Sequence, residues 1–81
     1  MDHTYFAEIS WDDDAGVWYV SDTDFPGLVA EAASESVLLE KIRDLIPELY
    51  ELNQHLFDQP APEAIPLRMT SRRLETIRLA G

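Results

Sequence analysis

The chain has 81 residues, 46% of them apolar, which suffices for one hydrophobic core and excludes a disordered acidic tail, so we predict a single domain over residues 1–81. No cysteine is present, which excludes disulfides, thiolate metal sites and thiol nucleophiles. The net charge of −10 disfavours binding to phosphate backbones and anionic membranes, and it favours a basic partner.

Three strands are predicted before residue 33. Residues 4–11 alternate apolar and polar side chains, with Phe6 as the exception on the polar side. The run DDDAG at residues 12–16 predicts a hairpin turn, because Asp side chains bond local amides and Gly16 tolerates positive φ. A second strand follows at residues 17–23 and, after a turn at Pro26 and Gly27, a third at residues 28–32.

A change of period from two to about 3.6 then predicts a helix. Ser34 is the predicted N-cap, because its hydroxyl can accept a hydrogen bond from an amide of the first turn. One apolar stripe follows, formed by Leu38, Ile42, Leu45, Leu49 and Leu52. Pro47 removes a helical hydrogen bond and predicts a kink, but the stripe continues past it. We therefore predict one bent helix of about 20 residues rather than two helices.

The last part of the chain returns to alternation. Prolines predict an extended loop at residues 59–63, and alternating apolar side chains predict a fourth strand over residues 65–70. Beyond it, Leu74, Ile77 and Leu79 fit either a strand continued past a bulge near residues 71–73 or a short helix. Of these two, we favour the strand.

The predicted fold class is thus α+β, with the order β-β-β-α-β and one helix covering one face of an antiparallel meander. The passage through the helix returns the chain parallel to the first strand, and the last strand can pair beside it. In this register Phe6, Val17 and Tyr19 lie on the uncovered face. An exposed aromatic patch usually marks an interface.

The first residues, MDHT, are acidic where a signal peptide is basic, and no apolar run approaches the roughly 20 residues of a membrane span. We therefore expect a cytoplasmic protein without membrane contacts.

Charge is distributed unevenly along the chain. Residues 1–64 carry fifteen acidic and two basic side chains, a net charge of −13, whereas residues 65–81 carry four arginines and one glutamate, a net charge of +3. The acidic part would steer a basic partner, although solubility alone also accounts for the acidity.

The four arginines would contact either phosphates, as a basic β-ribbon does in the DNA major groove, or an acidic protein surface. The net charge of −13 in residues 1–64 favours contact with an acidic protein surface, so we expect no direct DNA binding. With the apolar residues of the last strand they predict a homodimer edge, formed by Arg68, Arg72, Arg73, Leu74, Ile77 and Leu79.

Two acidic groups are candidates for metal sites. The run Asp12 to Asp14 lacks the twelve-residue ligand spacing of a calcium loop and is better interpreted as a solvated turn. Glu8, Asp22 and Asp24 could form the carboxylate cluster of a two-metal nuclease, which is one alternative function; the other is a homo-oligomeric domain of unassigned role. Because acidic residues saturate this part of the chain, some proximity among them is expected without any metal.

No other constellation indicates catalysis. His3 and His55 have no partner at ligand spacing, and no nucleophile elbow or phosphate-binding glycine loop occurs. We therefore expect no enzymatic activity, no metal and no cofactor.

Three motifs occur in order at residues 11–18 (WDDDAGVW), 24–28 (DFPGL) and 31–34 (EAAS), and two more lie in the predicted helix at residues 38–42 (LLEKI) and 46–49 (IPEL). In these motifs the sequence resembles the HicB-like antitoxin family. The resemblance covers about residues 5–56, and the helix is similar to a stand-alone branch of that family whose function is largely unassigned.

The resemblance implies a degenerate ribonuclease-H-like fold without nuclease chemistry, which binds a small basic HicA-type toxin and masks its RNA-cleaving surface. Longer members append a DNA-binding domain, and since this chain ends at Gly81 we expect neither that domain nor autorepression. The expected anchors are Phe6, Trp18, Tyr19 and Phe25, with Asp12, Asp13 and Asp14 steering the partner. For Trp18 and Phe25, as for Trp11, an ordinary place in the core is the competing interpretation.

Overall fold

The computed structural model describes residues 3–57 and 63–80. It contains strands β1 (Tyr5–Asp12), β2 (Val17–Thr23) and β3 (Glu31–Ala32), helix α1 (Glu35–Leu52), a 3-10 turn (Gln54–Leu56) and strand β4 (Leu67–Arg72). This is the predicted α+β fold with the order β-β-β-α-β. The predicted loop at residues 59–63 lies outside the described residues except for Glu63.

The four strands form one sheet in the order β3-β2-β1-β4. β1 and β2 are antiparallel, whereas β1 and β4 are parallel, with Tyr5 opposite Leu67 and Ser10 opposite Arg72. The last strand therefore pairs beside the first, as predicted. A bulge between Glu8 and Ile9 shifts the register of β1 against β2.

The core lies between α1 and one face of the sheet. Its buried members are Ala7, Ile9, Trp18, Phe25, Leu28, Ala32, Leu38 and Ile42. The helix contributes the first two positions of its apolar stripe, and burying an aliphatic side chain of this size stabilises the fold by about 2 kcal/mol. Around one end of this core, Phe25 makes edge contacts with Tyr5, at 5.1 Å between ring centroids, and tilted contacts with Phe57, at 5.7 Å.

Helix α1 begins and continues as the sequence predicts. Ser34 has extended backbone angles, and its Oγ accepts a hydrogen bond from the Val37 amide at 3.2 Å. The helix runs through Pro47 to Leu52 as one element. Within residues 3–57 and 63–80 no helix combines the length and apolar character needed to cross a bilayer.

The turn before β3 explains why that strand is short. The Leu28 amide donates to the Phe25 carbonyl at 3.3 Å, Pro26 occupies the second position and Gly27 has φ of 79°, which is the pattern of a type II turn. Leu28 then inserts its side chain into the core. Glu31 and Ala32 pair with β2, and just before them the Ala30 carbonyl accepts a hydrogen bond from the Val20 amide at 3.1 Å. The predicted strand at residues 28–32 is therefore confirmed only at its end.

The predicted strand beyond residue 73 is wrong. Residues 73–80 have no regular structure, and their large apolar side chains are exposed: Leu74 by 93%, Ile77 by 78% and Leu79 by 86%. The reason is the length of the neighbouring strand. β4 pairs with β1 up to Ser10 and Arg72, and β1 enters its hairpin turn after Asp12, so a β4 extended beyond residue 74 would have no partner.

Candidate protein-binding surface

The face of the sheet opposite α1, which we call the outer face, is not covered by any element of the described chain. It is formed by alternate residues of three strands: Phe6, Glu8 and Ser10 of β1, Val17 and Tyr19 of β2, and Arg68, Thr70 and Arg72 of β4. The face is thus chiefly polar, with apolar side chains at its two ends.

Phe6 and Tyr19 are the large apolar residues of the outer face, and each is 38% exposed. Tyr19 lies opposite Ser10, four residues along β1 from Phe6, a separation of about 13 Å along the strand. The two rings therefore form two separate contact points rather than one aromatic patch. Val17 lies opposite Asp12 and is half-buried beside Tyr19.

Between the two rings lies a polar strip with two carboxylates. Glu8 and Asp22 are direct partners across the β1–β2 ladder, a placement in which like charges disfavour pairing. Arg72 Nη1 lies 3.3 Å from Glu8 Oε1 and offsets part of this repulsion. The Ser10 and Ser21 hydroxyls are hydrogen-bonded to each other at 2.7 Å. The strip therefore keeps an exposed carboxylate, Asp22, at the centre of the uncovered face.

The acidic hairpin adjoins the outer face at the end of β1. Asp12 Oδ1 accepts hydrogen bonds from the amides of Asp14 and Ala15, at 3.0 and 3.1 Å, and the Gly16 amide donates to the Asp12 carbonyl at 2.8 Å. Asp13 accepts a hydrogen bond from the Trp11 indole at 3.2 Å. Asp12 and Asp13 thus shape the turn, and the exposed Asp14 carboxylate forms no hydrogen bond with another described residue.

Asp24 holds the opposite end of the sheet together. Its Oδ1 accepts a hydrogen bond from the Phe6 amide and its Oδ2 contacts His3 Nε2, both at 2.8 Å. Burial alone would raise the pKa of Asp24, but the hydrogen bonds from Phe6 and His3 outweigh it and hold the pKa below its ordinary value. Burial, with the nearby Asp24 charge, raises the pKa of Tyr5.

The structure does not assemble the carboxylate cluster of the nuclease alternative. Both Asp24 oxygens are engaged in structural hydrogen bonds, and Glu8 is paired with Arg72. Among residues 3–57 and 63–80 no three acidic or histidine side chains lie close enough to hold a metal ion. Glu8 and Asp22 are neighbours as predicted, but the Asp24 carboxylate is used to hold Phe6 and His3.

Two of the expected anchors are core residues. Trp18 is 8% exposed and Phe25 only 2%. Trp18 lies between the outward residues Val17 and Tyr19 of β2, so the alternation of the strand turns it towards α1. Phe25 closes the end of the core at the type II turn. Neither side chain is available to a partner, whereas Phe6 and Tyr19 remain accessible.

The arginines predicted at an oligomer interface have different surroundings. Arg68, Arg72 and Arg73 are all exposed. Arg72 forms an ion pair with Glu8. Arg73 Nε lies 3.4 Å from Glu75 Oε1, and the centre of its guanidinium lies 4.8 Å from the centroid of the Trp11 ring. The sequence gives no signal for this cation–π contact, because it depends on where β4 ends relative to the hairpin.

A family described as Domain of unknown function (DUF1902) matches residues 4–79 of the chain. The chain is a member of the DUF1902 family. A solved structure with this fold is that of hypothetical protein TTHA1013 from the extremely thermophilic bacterium Thermus thermophilus, with a TM-score of 0.69 and 35% identity, over 93% of this chain and 100% of that one. No curated protein matches this DUF1902 chain.

Proposed function

We propose that this domain is a non-catalytic, HicB-like protein-binding module, which uses the outer face and the acidic hairpin to bind and mask a small basic protein of the HicA toxin type. The observation that carries the proposal is the uncovered outer face, where the polar strip with its exposed Asp22 carboxylate lies between two accessible aromatic rings.

The placement of Glu8 opposite Asp22 supports a role in binding. Two carboxylates facing each other across a ladder cost the free protein stability, and a basic partner would remove that cost on binding. Phe6 and Tyr19 would supply apolar contact on either side of the strip. The net charge of −13 in residues 1–64 would steer such a partner towards the domain.

The test is affinity capture from native lysate at low and at high salt, followed by titration of the captured protein against the purified chain. We expect one small basic protein with RNA-cleaving activity, which the chain inhibits, and we expect weaker binding as salt rises. Capture of the chain itself alone would contradict the proposal.

The double variant E8Q/D22N locates the binding surface. It removes the carboxylate strip, and we expect the affinity for the captured protein to fall by about tenfold or more. The control E40Q/E48Q removes the same charge from exposed positions of α1 and should bind like the parent. Equal losses in both variants would mean that net charge, not the outer face, drives binding.

The alternative is a magnesium-dependent ribonuclease-H-like nuclease, favoured only by the pairing of Glu8 with Asp22. It is tested by incubating the chain with fluorescent RNA over a magnesium titration. Cleavage that Asp22→Asn abolishes would overturn the binding-only proposal.

A further inference from the structure

An apolar groove of about 770 Å³ runs beside β4 on the α1 side of the sheet. One wall is formed by α1 and the other by the segment that enters β4, and the main lining residues are Leu39, Ile46, Tyr50, Ile65, Leu67 and Met69. Arg43, Glu51 and Glu63 also line it, so the groove carries one basic and two acidic side chains and is acidic on balance. β4 is an edge strand, so the backbone groups on its outer side have no strand partner in the described chain.

The segment that follows β4, residues 73–80, is an arm that does not pack on its own body. Leu74, Ile77 and Leu79 are its large apolar residues, and all three are exposed. At the start of the arm, the Arg73 guanidinium lies over the Trp11 ring. The arm contributes to a molecule 60 Å long but only 23 by 17 Å across. Three exposed large apolar side chains within six residues are unfavourable in water, which indicates that something covers them.

We propose that the arm of one copy lies in the groove of a second copy, and that the exchange is reciprocal in a two-fold dimer. The lengths agree: the helical wall from Leu39 to Tyr50 spans about 17 Å, and the extended chain from Leu74 to Leu79 spans about 17 Å. The charges agree as well. Arg78 of the arm forms no ion pair with a described residue, and Glu51 and Glu63 of a second groove would offer it two carboxylates.

The arm does not reach its own groove easily. The groove lies alongside β4, so a self-docked arm would have to reverse direction immediately after Arg72. Residues 73–80 contain no glycine or proline to form that turn. A second copy can receive the arm without any reversal, which makes exchange between copies the better match.

The first experiment measures the mass of the full chain in solution by light scattering over a wide concentration range. We expect twice the chain mass for the parent and a return to the single-chain mass for I77D/L79D, which places charges on the arm alone. The control V29D/L52D makes the same change at two exposed residues outside both the arm and the groove, and it should remain dimeric. A parent that stays monomeric at all concentrations, or a dimer unaffected by I77D/L79D, would overturn the proposal.

A second experiment shows where the arm lies, and it uses the fact that the chain has no natural cysteine. Chains carrying Ile77→Cys are mixed with chains carrying Glu51→Cys and oxidised. We expect a mixed disulfide between copies, and none when Val29→Cys replaces Glu51→Cys. A third chain carries both Ile77→Cys and Glu51→Cys. If this chain forms an internal disulfide at high dilution, and the two singly substituted chains form no disulfide with each other, the arm occupies its own groove and the proposed exchange is wrong. This inference does not depend on the proposed toxin-type partner, since both experiments use the chain alone.

Discussion

Gly27 and Gly16 both have positive φ, at 79° and 68°, but their surroundings differ. A Cβ at Gly27 would lie 3.3 Å from Leu49 Cδ2 and 3.7 Å from Asn53 Nδ2, whereas a Cβ at Gly16 would meet nothing within 4 Å. Gly27 is therefore required twice, once for the turn and once for the close approach of α1.

We expect Gly27→Ala to destabilise the domain more than Gly16→Ala. Each substitution places Ala in the left-handed region at a cost of about 1 kcal/mol, and the first also displaces Leu49, for a total of about 2 kcal/mol or more. Urea unfolding followed by tryptophan fluorescence measures both values. Equal losses would mean that the end of α1 yields to the methyl group.

Asp24 makes stability depend on pH. Its folded pKa lies below the ordinary value of 3.8, so the carboxylate stabilises the fold at neutral pH, and this contribution disappears as the pH falls through the folded pKa. Asp24→Asn keeps an acceptor for the Phe6 amide but does not titrate.

We therefore expect the free energy of unfolding of Asp24→Asn to fall less than that of the parent as the pH drops from about 5 to about 2. Denaturant titrations at a series of pH values measure it. Asp44→Asn, which removes an exposed carboxylate of α1, is the control and should follow the parent profile.

At the scale of elements, the start of α1 depends on one hydroxyl. Ser34→Ala removes the acceptor of the Val37 amide, and we expect a loss of about 1 kcal/mol in the free energy of unfolding. Ser34→Asp keeps an acceptor at the same place and should retain most of the stability. If the Ala and Asp variants unfold at the same denaturant concentration, the cap does not contribute.

Where an element is decided by local pattern, the sequence predicts it well. The predicted bounds of β2 match the observed ones, and Ser34 is the cap that the sequence indicates. Leu74, Ile77 and Leu79 are spaced by three and then two residues, and a strand there would have no neighbour beyond the end of β1. The third strand pairs with β2 only at its end. Pairing partners lie far away in sequence, so a local period cannot report whether they are present.

At the scale of the whole molecule, the same limit applies to the candidate surface. The alternation places Phe6 and Tyr19 outward, and that prediction of position is confirmed. Trp18 and Phe25 are expected as anchors because aromatic residues are common at interfaces, but a domain of this size needs such rings in its core. The groove beside β4 has no signature in the sequence, because its two walls come from α1 and from residues 63–69.

The pairing of β1 with β4 has a consequence for synthesis on the ribosome. Tyr5 and Leu67 are sheet partners 62 positions apart, so β1 leaves the exit tunnel long before its second neighbour has been translated. Until then the β1–β2 hairpin of the nascent chain leaves one side of β1 unpaired. That side is open to wrong pairing with other nascent chains. The acidic residues that crowd this hairpin would also keep neighbouring nascent copies apart while the sheet waits for its last strand.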